Sequence, residues 1–67
     1  MTVNGEPFDF SLIASEPCVV ALVRHLGLSP ERVAVELNGD LLRRGSYAGA
    51  KLTDNDKIEI IHYVGGG

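Results

Sequence analysis

The chain has 67 residues, 45% hydrophobic and 22% charged, with a net charge of −3. That composition describes one folded domain near the lower size limit, with a thin core and no room for a deep substrate cleft. Basic residues are nowhere denser than Arg43-Arg44, which argues against nucleic acid as a partner, and no apolar stretch approaches the roughly 20 residues that span a bilayer.

Cys18 is the single cysteine, so an internal disulfide is excluded. The first residues lack a basic segment followed by an apolar run, the pattern of a secretory signal. A cytoplasmic protein is expected.

"MTVNGEPFDF" reads as a hairpin. Asn4-Gly5 is a favoured two-residue turn because both residues tolerate positive φ. Phe8, Phe10 and Leu12 alternate with Asp9 and Ser11, which predicts that the strand continues with one apolar face. Pro7 cannot donate to a ladder and belongs at an outer edge or a strand start.

"SEPCVVALVRHLGL" reads as a helix. Val19, Leu22, Val23 and Leu26 form one stripe at helical spacing. Glu16 and Pro17 suit its entry, Gly27 its left-handed exit, and Pro30 stops it from resuming.

"RVAVELNGD" gives a second strand with Val33, Val35 and Leu37 on one face and a turn at Asn38-Gly39-Asp40. "LLRR" returns from that turn. "GSYAGAKLTDND" reads as loop with a short helical turn. "KIEIIHYV" is the strongest strand, with Ile58 and Ile60 on one face and Lys57 and Glu59 on the other. Ile61 breaks the alternation, which predicts a strand that is central or covered on both faces near its end.

This order predicts an α+β fold, a mixed sheet of four or five strands packed on one main helix. If the first and last strands are parallel neighbours, the long crossover between them is accommodated. That is the β-grasp (ubiquitin-like) arrangement, one option among several α+β folds on pattern alone. Residues 1–64 form the domain and 65–67 a flexible glycine tail.

Few residues offer chemistry of their own. Cys18 stands at a helix start, where a thiolate is favoured, but no base accompanies it; His25 is at the far end of the same helix. A small buried hydrophobe is the plainer reading. His25 and His62 lack further ligands for a metal. "TDND" has neither the glycine nor the bidentate glutamate of a calcium loop and reads as a turn. "GGG" has no helix after it to hold a phosphate.

The closing "YVGGG" has two readings. It is a frayed end, or a slender tail that carries a carboxylate about 10 Å beyond the last strand into a partner's channel. A strong strand running into the glycines without a polar spacer favours the second.

Here "VAVELNGDLLRR", "KLTDNDKIEIIHYVGGG", the opening "NGE" hairpin and the helix ending "HLGL" together resemble the ThiS family, sulfur carriers of thiazole formation in thiamin biosynthesis. The resemblance covers nearly the whole chain. It implies a β-grasp protein that is no enzyme and binds no cofactor. It implies that a ThiF-like adenylyltransferase activates the Gly67 carboxylate with ATP. A cysteine desulfurase or persulfide relay then supplies sulfur to make a thiocarboxylate at Gly67, and a ThiG-like thiazole synthase takes that sulfur. Gly66 and Gly65 would give access to the partner sites, and Tyr63 and Val64 would extend the docking strip. The chain departs from the family pattern in places. Arg43-Arg44 stand where proline then arginine is common, Tyr47 where tryptophan is common, and Asn55 where glycine is usual. Asn also visits the left-handed region, so that turn is expected to keep its shape. The resemblance extends to MoaD-like carriers for molybdopterin and to ubiquitin-like modifiers, which share the fold and the diglycine end.

Overall fold

The computed structural model of the chain describes residues 1–63. Strands β1 (Thr2–Val3), β2 (Glu6–Pro7), β3 (Val33–Leu37), β4 (Asp40–Leu41) and β5 (Lys57–His62) form one sheet in the order β2-β1-β5-β3-β4. Helix α1 (Val19–His25) lies between β2 and β3 in the chain. β1 and β5 run parallel and the other neighbours antiparallel. This is the β-grasp arrangement, and the radius of gyration is 11.1 Å.

Each hairpin closes on Asn-Gly. Asn4 and Gly5 have φ of 52° and 81°, and Asn38 and Gly39 have 51° and 89°. Two successive left-handed residues match the twist of the strands they join, which is why both turns hold the same pair. Pro7 sits on edge strand β2, where no ladder bond is asked of it.

The core is the meeting of α1 with one sheet face. Val19, Leu22 and Val23 are fully buried against Val33, Val35, Ile58 and Ile60. Leu26 ends the predicted stripe at the helix C-cap and is over a third exposed. Gly27, at φ 78°, completes the exit: its N–H donates to the Arg24 carbonyl at 2.9 Å, and Leu28 N–H donates to that of Val23 at 3.1 Å. At the other end Cys18 is the N-cap but makes no capping bond through its side chain. The 47–50 loop caps the helix instead, with Val19 N–H donating to the Ala50 carbonyl and Val20 N–H to that of Tyr47. Tyr47 is buried and its hydroxyl donates to the Val33 carbonyl at 3.1 Å, which ties the loop to β3.

Several expectations change. The Phe8, Phe10, Leu12 alternation is not a strand: Phe10–Ile13 is a 3₁₀ turn capped by the Asp9 carboxylate. Its period of three buries Ile13, while Leu12 points out at 56% exposure. β5 is central, as expected, but among the described residues nothing covers its second face, and Ile61 is 58% exposed there. Asn55 does not take a left-handed conformation. The 53–56 turn closes through Asp56 N–H to the Thr53 carbonyl, with the Asp56 carboxylate accepting from Thr53 N–H. A glycine is therefore not required at position 55.

β5 is clamped from both sides by the turn asparagines. β1 ends at Val3, yet the Asn4 side chain continues the ladder: Nδ2 donates to the Ile60 carbonyl at 3.2 Å, and Ile60 N–H donates to Oδ1 at 2.6 Å. On the other flank Lys57 N–H donates to Asn38 Oδ1 at 2.8 Å, and Asn38 Nδ2 donates to Asp56 Oδ1 at 3.0 Å. Each side-chain amide acts as the peptide group that its short strand lacks.

Leu22→Ala should cost about 2–5 kcal/mol in denaturant unfolding, because a fully buried side chain leaves a cavity. Asn4→Gly keeps the turn's positive φ and deletes only the clamp. It should cost about 1–3 kcal/mol, read in the same assay, by leaving both polar groups of Ile60 short of a partner. Burial pushes the Asp56 carboxyl up, but hydrogen bonds from Asn38 and Thr53 outweigh it and hold it below its ordinary 3.8. The folded state is thus favoured above that pH and loses this contribution as pH falls below it. Asp56→Ala should flatten the acid limb of the pH–stability curve, and an unchanged slope below pH 3.8 would refute the assignment.

Candidate functional site

The predicted site residues Val64, Gly65, Gly66 and Gly67 lie outside the described residues. What the fold supplies is the root from which they leave. β5 is the central strand, paired with β3 from Val33↔His62 to Leu37↔Ile58 and with β1 through Thr2↔Lys57 and Val3↔Ile58. The ladder runs one residue further, because Tyr63 N–H donates to the Arg32 carbonyl at 2.8 Å. Tyr63 is therefore fixed through its backbone while its side chain stays 49% exposed. Its ring is thus open to contact.

The strand presents two different faces. Ile58 and Ile60 are buried under α1. Lys57, Glu59 and Ile61 alternate with them and line the other face. Register adds Ala34 opposite Ile61, Glu36 opposite Glu59 and Leu41 opposite Glu36. Leu41 is 71% exposed. This open face was not singled out in the sequence. Its alternating pattern was visible, but the pairing that groups Leu41 with Glu36 and Ile61 depends on register.

The other candidates do not gather into a site. Cys18 is buried beside an open hollow whose lining includes Glu16 and Lys51. His25 is seven residues along, about 10 Å of helix rise away, and its ring stands edge-on to Phe8 at 5.7 Å. His62 is exposed on β5. No group of three or more His, Cys, Asp or Glu among the described residues could hold a metal ion. No described helix is long and apolar enough to cross a membrane.

The comparisons with known proteins agree with this geometry. The ThiS family model matches residues 1–67. The crystal structure of a thiamine biosynthesis protein (ThiS) from Geobacter metallireducens is 35% identical, with a TM-score of 0.78 over 98% of this chain and 96% of that one. A thiazole synthase of Magnetococcus marinus is 38% identical over 97% of this chain, and this chain spans only 19% of its length. The ycf40 protein of Porphyra purpurea is 41% identical over 97% of this chain and 87% of its own. The chain belongs to the ThiS family.

Proposed function

We propose that this protein is a sulfur carrier in thiamin biosynthesis, with the Gly67 carboxylate as the group that is loaded. The observation that carries this reading is the match to the ThiS family along the whole chain, on a fold whose central strand leads into Gly65-Gly66-Gly67. The likeness to a thiamine biosynthesis protein supports the pathway, and the similarity to thiazole synthases supports a ThiG-like consumer of the sulfur.

The chemistry follows from the carboxylate's poor electrophilicity. An oxygen of Gly67 attacks the α-phosphorus of ATP on a ThiF-like adenylyltransferase, and pyrophosphate leaves. The acyl adenylate then has AMP as a leaving group. A persulfide, derived from cysteine by a desulfurase or relay, attacks the acyl carbon through its terminal sulfur and expels AMP. A second thiol cleaves the resulting acyl disulfide, takes the other sulfur into its own disulfide, and frees the thiocarboxylate. The synthase removes that sulfur and water restores the carboxylate. ATP and the catalytic groups belong to the partners, so the carrier needs no pocket or cofactor and acts as a co-substrate.

Glycine suits such a tail because a side chain beside the reacting carbonyl would collide with a narrow partner channel. Val64 and Tyr63 would set the tail's direction.

Incubation with ATP, the cognate adenylyltransferase and a sulfur donor should exchange one oxygen of the intact protein for sulfur, read by intact mass. Gly66→Val should melt with the wild type and give no such product. A normal thiocarboxylate yield from Gly66→Val would refute the tail's role. An unchanged wild-type mass would overturn the carrier reading, and ubiquitin-like conjugation would instead show as isopeptide-linked ladders.

A further inference from the structure

The two ends of β5 differ in charge. At its exit Tyr63 N–H donates to the Arg32 carbonyl, and His62 pairs with Val33. Helix α1 ends here against the 3₁₀ turn Pro30–Arg32, with Arg24 in its last turn. Arg43 and Arg44 open a further 3₁₀ turn, Arg44–Ser46, whose next residue, Tyr47, is bonded to Val33. Glu31 lies among these cations: the Ser29 hydroxyl, its own backbone N–H, and then the charges of Arg24 and Arg44 hold its carboxyl below the ordinary range. Four of the chain's six Lys and Arg residues thus gather where the tail leaves. All four are exposed, and none forms an ion pair among the described residues. Asp40, Asp54 and Asp56 lie at the other end, around the start of β5. A chain of net charge −3 therefore has one positive end.

Loading asks two anions to meet, the Gly67 carboxylate and the triphosphate of ATP. We propose that Arg24, Arg32 and Arg44 speed this meeting by steering the carrier tail-first to the nucleotide-loaded form of its adenylyltransferase, in preference to the empty form. The inference rests on the carrier reading. Tyr63 is bonded beside Arg32, and the four residues after it span at most about 14 Å. A triphosphate at the tip is then no farther than that from the root. Charges act over about 30 Å at 0.01 M salt but only about 8 Å at 0.15 M. At low salt the arginines therefore attract bound ATP before any contact forms, and at high salt they do not. Such steering changes the association rate far more than the dissociation rate. Arginine suits the role because it keeps its charge at every working pH.

The test is stopped-flow association with the adenylyltransferase, empty or loaded with α,β-methylene ATP, whose α–β linkage cannot release pyrophosphate. At about 10 mM salt the wild type should associate faster with the loaded enzyme. Arg24→Gln/Arg44→Gln should slow that association about tenfold, abolish the preference for the loaded form and leave dissociation within about twofold. At about 1 M salt, where the screening length falls to about 3 Å, variant and wild type should converge. Lys51→Glu changes the net charge by the same amount beside the start of α1, away from the exit, and should keep the preference. All three proteins should melt together, since each replaced side chain is exposed. A wild type blind to the nucleotide, an equal slowing by Lys51→Glu, or a loss confined to dissociation would overturn the steering, while sulfur loading of the wild type leaves the carrier reading standing. No association with either form and no sulfur loading would overturn both.

Discussion

The fold depends on how the backbone of β5 is satisfied. A central strand must find partners for its N–H and C=O groups on both flanks. Here one flank is β1, which is two residues long, and the other is β3, which turns away after Leu37. The missing partners are side chains. Asn4 takes both polar groups of Ile60, and Asn38 takes the Lys57 N–H through its side chain and the Lys57 carbonyl through its own N–H. The residues that turn the hairpins therefore also complete the sheet. Only asparagine combines tolerance of positive φ with a side chain that imitates a peptide group.

That arrangement lets a short chain commit its apolar residues to one side. The helix covers Val33, Val35, Ile58 and Ile60, and the described residues form no second layer. Among the described residues nothing packs on the opposite face, where Leu41 and Ile61 are exposed. Rigidity at the root serves the same end: Tyr63 leaves the last ladder bond in a fixed direction.

Much of this was legible in the residues, for identifiable reasons. The two Asn-Gly turns, the helix stripe through Val19, Leu22 and Val23, and the Ile58/Ile60 alternation are local signals, and each appears where the pattern put it. The parallel pairing of β1 with β5 was only the condition under which that order of elements gives a β-grasp sheet, and the structure meets it. The segment at Phe8–Leu12 misled because so short an alternation also fits a 3₁₀ turn, and the Asp9 cap decides between them through geometry. Ile61 pointed to a strand that is central or covered on both faces, and β5 is central while Ile61 itself is exposed. The clamps and the glutamate pair could not be read at all. They join residues 56, 19 and 23 positions apart, and only the fold sets that register. The glycines themselves were legible as a motif, and their chemistry rests on family membership.

The asparagines also give the molecule a lifetime. In an Asn-Gly pair the next backbone nitrogen can attack the side-chain amide and expel ammonia, and water then opens the cyclic imide to an aspartate or its isomer. At Asn4 that change would exchange the donor that meets the Ile60 carbonyl for an anionic oxygen. The attack needs an amide free to rotate, and the closed clamp holds the amide still. The ageing of these turns is therefore coupled to the opening of the sheet, and the contacts that give the chain its shape also preserve it.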